Sequence, residues 1–263
     1  MARMKKIPQD IVGDIAILKF PYEMSKKEKK KLGEKFLKLH KNINTVLEKS
    51  GKFKGRLRKL ETKFICGEKK KETIHIESGC KFFFDVDETY FSPRLSNERQ
   101  LVADDIFKKA SVGQRVLVMF AGVAPFPIVI AKKFKSGNKK GEIVSSEINR
   151  KASKFAKKNV LLNHVSSFVN VVSGDSKKLS SKVKGKFDFI VMPRPNLKDT
   201  FLKSALGFSK KGTRIYYYGF GSREDVLAEV KRDVGKKVGK VKIRKAGDIG
   251  PYIFRWLVEF QAG

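Results

Sequence analysis

The sequence predicts an α/β protein organised around a parallel β-sheet, and its second half supplies the main observations. Residues 116–120 form an apolar run typical of a buried strand, and a small-residue turn at residues 121–125 leads into an apolar helix. Shorter apolar runs at residues 143–146 and 187–192 follow, separated by helical patterns. Alternating strands and helices favour a parallel sheet that binds ligands at the carboxyl ends of its strands.

Acidic residues end two of these predicted units. Glu147 closes the strand that begins at residue 143, and Asp175 closes the segment VNVVSGDS. An acid at the end of the second strand commonly holds both hydroxyls of a ribose. The turn contains Gly122 but neither GxGxxG nor GxxxxGK[ST], which excludes a P-loop. The order fits S-adenosylmethionine better than NAD or ATP, and the alternative is a plain βαβ core with an incidental acid.

Composition indicates a polyanionic partner. The chain has 263 residues, with 59 Lys and Arg against 27 Asp and Glu, and its net charge is +32. Such a field concentrates RNA or DNA, although lysines on solvated faces are an alternative. The two cysteines and three histidines lack metal-ligand spacing, so we expect no metal site. No apolar run reaches the roughly 18 residues of a membrane span, so we expect a soluble cytoplasmic protein.

The first part of the chain predicts a small α+β domain. Strands are expected at residues 11–20 (with a turn at 13–14), 51–67, 73–76 and 81–86. Residues 24–49 have apolar positions at helical spacing, and Ser25 with Glu28 forms a capping box at the start. We therefore predict one domain over residues 1–80, with a basic sheet face, and a second over residues 81–263.

A dense loop, DETYFSPRLSNERQL at residues 87–101, precedes a helix predicted at residues 97–109. Ser96 or Asn97 would cap this helix and place Glu98 in its first turn. A carboxylate there interacts well with the helix dipole, so Glu98 is either a helix-start acid or a functional group. The later elements are predicted as a strand at 187–192, a helix at 199–206, a strand at 213–220, a helix at 223–238, and an antiparallel edge pair at 241–245 and 254–260.

The chain resembles the archaeal and eukaryotic tRNA guanine-37 N1-methyltransferases, a class I S-adenosylmethionine-dependent family. The similar segments are GDIAIL, GRLR, ETIHIESGC, DVDETYFSPRLSNERQ, MFAGVAPF, GD and IYYYGF, between about residues 10 and 260. The resemblance implies a small α+β RNA-contacting domain followed by a Rossmann-like class I methyltransferase domain. It implies S-adenosylmethionine as cofactor and the tRNA anticodon stem-loop as partner. No segment resembles a dimer seam, so we expect a monomer.

The resemblance also implies residue roles. Glu98 corresponds to the general base that removes the proton from guanine N1. Arg58, with Arg56 as the near alternative, corresponds to the group that stabilises O6, and Tyr90 lies beside the target base. The implied cofactor-binding residues are Arg99, Phe120, Ala121, Gly122, Val123, Pro125, Phe126, Glu147, Ile148, Asp175, Ser176 and Pro193. The candidate substrate-binding residues are Arg94, which could instead form a structural salt bridge, Arg194 and Asn196.

The chain departs from the family pattern at two places. Ala124 replaces a glycine of the usual GVGPF turn, which is tolerated at negative φ and costs free energy otherwise. The usual Asn-Leu-Pro after the fourth strand reads Pro193-Arg194-Pro195, so Asn196 or a backbone carbonyl would replace the missing amide. Arg194 is then expected at the mouth of the pocket, where it could contact a phosphate or guanine. A related wybutosine-pathway activity, aminocarboxypropyl transfer, and a non-catalytic RNA-binding role are the alternative functions.

Overall fold

A computed structural model describes residues 7–51, 55–235, 239–250 and 252–263. The chain forms two compact units, Met1–Ser96 and Asn97–Gly263. The boundary expected after residue 80 would cut through a strand, Cys80–Asp85, that pairs with Glu72–Glu77 of the first unit. The assignment of RNA contacts to residues 1–80 stays a prediction.

The first unit is built on a four-stranded mixed sheet. Its strands, in spatial order, are β1 (Gln9–Val12), β2 (Ile15–Leu18), β3 (Thr45–Lys49) and β4 (Thr62–Gly67). The β2–β3 pair is parallel, and the other two pairs are antiparallel. Helix α1 (Lys26–Leu39) packs Leu32 and Phe36 onto the sheet core. Strands β5 (Glu72–Glu77) and β6 (Cys80–Asp85) form a separate hairpin.

The capping box predicted for this unit is confirmed, since Glu28 N–H donates to Ser25 Oγ and Ser25 N–H donates to Glu28 Oε2. Two other expectations for this unit differ from the structure. The helix, however, ends at Leu39, and Val46 and Leu47 lie in β3, because pairing with β2 buries both side chains. The strand expected over residues 51–67 begins only at Thr62, and residues 52–54 lie outside the described part of the chain.

The second unit contains a seven-stranded sheet. Its strands are β7 (Gln114–Met119), β8 (Gly141–Glu147), β9 (Val169–Ser173), β10 (Phe187–Met192), β11 (Ser209–Gly221), β12 (Lys242–Gly250) and β13 (Ile253–Gln261). The spatial order is β12-β13-β11-β10-β7-β8-β9. Neighbours from β11 to β9 are parallel, whereas β13 runs antiparallel to β11 and β12. This confirms the predicted parallel sheet and its antiparallel edge pair.

The helices of the second unit are α2 (Ser96–Lys109), α3 (Pro125–Ser136), α4 (Arg150–Leu162), α5 (Leu202–Leu206) and α6 (Arg223–Val234). The helix expected from residue 199 begins only at Leu202, because Phe201 has a left-handed backbone and Asp199 accepts its N–H. Among the described helices, none is long and apolar enough to cross a membrane.

Strand order places a switch point beside β7. The chain proceeds from β7 outward to β8 and β9, and then returns to β10 on the other side of β7. In open α/β sheets, ligands bind in the crevice outside the carboxyl ends of the strands at such a point. The turn that follows β7 is therefore where the fold predicts a ligand.

Two glycine turns of the first unit give a test of packing. Gly13 (φ +55°) lies in the β1–β2 turn, and a Cβ there would stand 2.1 Å from Thr73 Oγ1 and 2.5 Å from Ile74 O. Gly79 (φ +68°), in the β5–β6 turn, has open space around that position. Gly79→Ala should cost about 1–2 kcal/mol, from the left-handed backbone alone. Gly13→Ala should cost about 3 kcal/mol or more, since overpacking is added.

Thermal unfolding of the two alanine variants measures this difference. The melting temperature should fall clearly further for Gly13→Ala than for Gly79→Ala. Equal losses would contradict the close docking of the β1–β2 turn on Thr73.

Candidate active site

The turn after β7 has an unusual backbone. Phe120 (φ +57°), Gly122 (φ +57°) and Ala124 (φ +69°) all adopt left-handed conformations. Ala124 is fully buried, and its N–H donates to Ala121 O at 2.9 Å. A left-handed conformation costs a residue with a Cβ roughly 1–2 kcal/mol. The alanine in this glycine position is therefore strained, and the negative φ that would tolerate it is not adopted.

Glu147 connects this turn to the end of β8. Its Oε2 accepts the Gly122 N–H at 2.8 Å, and its Oε1 accepts the Asn149 N–H at 2.7 Å. Burial raises the pKa of the Glu147 carboxyl, and hydrogen bonds from the N–H groups of Asn149, Gly122 and Ile148 offset this only in part. Asn149 in turn caps α4 through its side-chain oxygen. The acid at the strand end is thus fixed in orientation by backbone donors.

A cleft of about 650 Å³ opens where β8 and β9 end. Ile148 and Asp175 both line it, so the structure brings these two predicted residues together. The Asp175 carboxylate accepts the Lys177 N–H at 3.0 Å and begins a short 3-10 helix. Five cations complete the wall of the cleft: Arg150, Lys154, Lys157, Lys178 and Lys182.

The predicted cofactor residues divide by burial. Those with part of the side chain or backbone open to solvent are Phe120, Gly122, Glu147, Ile148, Asp175 and Pro193. Those that are buried are Arg99, Ala121, Val123, Pro125, Phe126 and Ser176. The rings of Phe120 and Phe201 meet edge to face, with centroids 5.0 Å apart. This contact joins the turn to the loop before α5.

Arg194 does not lie at the mouth of a pocket, and that expectation is wrong. Its side chain is 2% exposed, and Nη2 donates to Glu229 Oε1 at 2.5 Å. Nε donates to the Tyr217 hydroxyl, while Nη1 donates to backbone carbonyls of the loop after β10. With its donors engaged inside the protein, Arg194 holds the loop and is not available to an RNA phosphate. Asn196, by contrast, is exposed.

Glu98 lies in the first turn of α2 and is buried, with 6% of its surface exposed. Arg244 on β12 donates to it through two parallel hydrogen bonds, Nη1 to Oε2 and Nη2 to Oε1, each 2.8 Å long. The Tyr218 hydroxyl donates to Oε1 at 2.7 Å. Burial lowers the pKa of Arg244, but the hydrogen bonds and charge of Glu98 outweigh it and raise that pKa overall. Glu98 therefore accepts hydrogen bonds from two distant side chains and is not a simple helix-start acid.

Tyr218 and Arg244 are absent from the sequence-based site. Tyr218 is fully buried, and burial together with the charge of Glu98 raises its pKa well above the ordinary tyrosine value. Its ring lies 6.0 Å from that of Phe126 at the start of α3. Arg244 stands 146 positions from Glu98 in the chain, so no local motif announces the pair. The sequence shows the run of tyrosines on β11, but it does not show which side chains bind them.

Two further predicted residues meet in the first unit. The Arg58 guanidinium carbon lies 4.3 Å from the centre of the Tyr90 ring, a distance typical of a cation–π contact. Arg56 is exposed. Tyr90 and Arg94 line a cavity of about 160 Å³, and Arg94 pairs with Asp10 at 2.5 Å. The structure thus brings together Arg58 and Tyr90, for which the resemblance implies separate roles at the target base. Arg94 has the salt bridge considered as its alternative role.

Comparison with known proteins decides the family. Residues 73–244 match the family described as the TRM5/TYW2 methyltransferase domain. The chain belongs to this TRM5/TYW2 family. Residues 4–70 match a second family, described as the TYW2 N-terminal domain. The predicted resemblance, the Rossmann-like fold and the enzyme class, a methyltransferase, are confirmed.

Individual relatives of the family cover most of the chain. The tRNA (guanine(37)-N(1))-methyltransferase Trm5b of Pyrococcus abyssi is 38% identical over 90% of this chain and 68% of its own length. Trm5b of Methanocaldococcus jannaschii is 34% identical over 82% of this chain, which spans only 60% of that relative. The solved complex of aTrm5 and tRNALeu matches with a TM-score of 0.84 at 27% identity, covering 97% of this chain and 72% of that one.

Arginines 194 and 94 give a matched test of the revised assignment. Arg194→Met should destabilise the protein by about 3–5 kcal/mol, because it leaves Glu229 without its buried partner. Arg94→Met removes a pair whose arginine is 75% exposed, and should cost no more than about 1 kcal/mol. Urea unfolding of both variants measures the difference. If Arg194→Met unfolds as the wild type does, Arg194 is not the anchor of its loop.

Proposed function

We propose that this protein transfers a methyl group from S-adenosylmethionine to N1 of guanosine 37 in tRNA. The observation that carries the proposal is the buried carboxylate of Glu98, which lies in the NER segment of the family resemblance. Arg244 and Tyr218 hold this carboxylate by hydrogen bonds. Membership of a methyltransferase family and relatives named for this reaction support it.

The residues at the strand ends fit S-adenosylmethionine, which supplies a methyl group carried on a sulfonium sulfur. We assign the ribose hydroxyls to Glu147, because backbone donors fix its carboxylate while its acceptor capacity of about four positions is not exhausted. Ile148 lies with Glu147 on the ribose side in this assignment, and Asp175 and Ser176 form the adenine side. The turn from Phe120 to Phe126 shapes the floor under the methionine moiety, with Arg99 and Pro193 beside it.

The proposed chemistry assigns a separate task to each side chain. Guanine N1 carries a proton and is a poor nucleophile until the proton leaves, so Glu98 acts as general base. Negative charge then moves towards O6, where the Arg58 guanidinium stabilises it. Tyr90, in contact with Arg58, lies beside the target base. The methyl carbon is then attacked by N1.

The proposed partner is the anticodon stem-loop of tRNA. A net charge of +32 supports a polyanionic substrate, since phosphate contacts dominate the affinity of such complexes. Arg94 and Asn196 remain proposed substrate contacts, and Arg194 is withdrawn from that role. The cytoplasmic location and the monomeric state also remain proposals.

Transfer of an aminocarboxypropyl group to the same tRNA position is the second candidate. The match of residues 4–70 to the TYW2 N-terminal domain favours it. The mass added to the nucleoside distinguishes one methyl group from the larger aminocarboxypropyl group.

Nucleoside mass spectrometry of a tRNA transcript with unmodified G37 tests the function. With S-adenosylmethionine, the wild type should produce 1-methylguanosine. In Glu98→Gln the single-turnover rate should fall by about 100-fold or more, because the general base is lost. Glu224→Gln, an exposed acid on α6, serves as control and should keep the wild-type rate. Full activity of Glu98→Gln would exclude Glu98 as the base.

The raised pKa of Glu147 predicts a pH dependence of cofactor binding. The ionised carboxylate is the form that accepts ribose hydroxyls, so protonation weakens binding. Because burial raises the pKa of this carboxyl, S-adenosylmethionine affinity should decline at a higher pH than the value of about 4.3 for an ordinary glutamate. Calorimetric titrations from neutral pH down to about pH 4.3 should show this decline, and Glu147→Gln should bind weakly at every pH. Wild-type affinity that does not change over this range would contradict the assignment.

A further inference from the structure

We propose that Arg244 is a positioning residue for Glu98, and that it leaves Oε2 of Glu98 as the atom that receives the guanine proton. The inference rests on the proposed function, since it takes Glu98 as the general base. It adds a residue that lies outside the sequence motif around Glu98, and it specifies which oxygen of Glu98 takes the proton.

The hydrogen bonds on Glu98 are distributed unequally between its two oxygens. Oε1 accepts from Arg244 Nη2 at 2.8 Å and from the Tyr218 hydroxyl at 2.7 Å. Oε2 accepts from Arg244 Nη1 at 2.8 Å. Each carboxylate oxygen offers about two acceptor positions. Among the contacts of the described residues, Oε1 is therefore saturated and Oε2 keeps one position for an N–H donor.

The forked geometry fixes the direction of that position. Two parallel bonds from one planar guanidinium hold the carboxylate plane as well as its charge. Tyr218 prevents rotation about the Cγ–Cδ bond, because it binds Oε1 from a different strand, β11. A lysine could supply the charge but not the second parallel bond. The arrangement thus fixes the orientation of the base.

The pair is asymmetric in its exposure to solvent. The Glu98 side chain is 7% exposed, whereas the Arg244 side chain is 42% exposed on the edge strand β12. Arg244 thus supplies the buried carboxylate with a charged partner from the solvent side.

Tyr218 is a donor and not a competing base. It is fully buried, and its pKa lies far above the ordinary tyrosine value, so its hydroxyl stays protonated at neutral pH. Other charged groups act on the cluster from its neighbours: Arg255 on β13 lowers the pKa of Tyr218, and Asp105 on α2 raises that of Arg244. Asp105 is itself bound by Lys109 and the Tyr216 hydroxyl.

The proposed reaction moves one proton and one methyl group. The N1–H bond of guanine breaks, its electron pair stays on the base, and the proton binds Oε2 of Glu98. N1 forms a bond to the methyl carbon, and the carbon–sulfur bond breaks with its electron pair going to the sulfonium sulfur. Glu98 then becomes neutral beside a charged Arg244, and release of the proton to water restores the ion pair. Arg244 thereby favours the ionised base at the start of each turnover.

Single-turnover methylation by Arg244→Gln, Arg244→Lys and Tyr218→Phe tests the inference, with saturating tRNA transcript and S-adenosylmethionine. We expect Arg244→Gln to slow the reaction by about 10–100-fold at neutral pH, less than loss of the base itself, because the carboxylate remains but is no longer held in orientation. The acidic limb of its pH–rate profile should move to higher pH, because the favourable charge on the ionised base is gone. Arg244→Lys should restore the position of that limb but only part of the rate.

The matched control is Lys245→Gln, which removes a positive charge from the next position of the same strand. Lys245 pairs with Asp248 at 2.6 Å and belongs to neither proposed site. It should keep the wild-type rate and pH profile. Dissociation constants for S-adenosylmethionine should stay within about threefold of wild type in all variants, since Arg244 acts on the proton step and not on cofactor binding.

The outcomes separate this inference from the proposed function. If Glu98→Gln is inactive while Arg244→Gln keeps the wild-type rate and pH profile, the inference is wrong and the proposed function stands. If Glu98→Gln is fully active, Glu98 is not the base and the inference fails with it. If the wild type forms no 1-methylguanosine, the proposed function itself fails. Should Arg244→Gln not fold, as judged by circular dichroism, Arg244→Lys decides. A wild-type rate in that lysine variant would overturn the requirement for a forked donor.

Discussion

The Glu147 carboxylate is the interaction on which the ligand end of the sheet depends. It binds the backbone N–H of Gly122 in the turn after β7 and that of Asn149 before α4. A single acid therefore holds together two strand ends on one side of the switch point. Both donors are backbone N–H groups, so this interaction constrains the conformation of the turn and not the identity of its side chains. The strain at Ala124 is tolerated within this frame.

The local parts of the site could be predicted from sequence. Glu147 and Asp175 follow apolar strands, and Glu98 follows a capping signal, so adjacent residues announce them. Arg244 could not be predicted, because its meeting with Glu98 depends on the register of the edge hairpin β12–β13. Dependence on strand pairing also explains why the first helix was predicted too long, over residues 24–49. Helical spacing continues by coincidence into β3, and only pairing with β2 decides that residues 45–49 are extended.

Three consecutive tyrosines on β11 illustrate how a strand distributes polar groups. Tyr216 binds Asp105, Tyr217 binds Glu229, and Tyr218 binds Glu98. Successive side chains on a strand point to opposite faces, so the middle hydroxyl serves the α6 side while its neighbours serve α2. Each buried hydroxyl has an acid as partner, in agreement with the rule that buried polar groups are paired. The run therefore links the proposed base to the loop anchored by Arg194.

The Arg194 anchor has a consequence for how this loop can diverge among relatives. Arg194, Tyr217 and Glu229 lie on three separate elements, yet each satisfies the others. Exchanging Pro193-Arg194-Pro195 alone for another family sequence would remove the arginine that donates to the Glu229 carboxylate and the Tyr217 hydroxyl inside the protein. The loop and Glu229 are consequently expected to change together among relatives, because a substitution at only one of them removes the partner of the other.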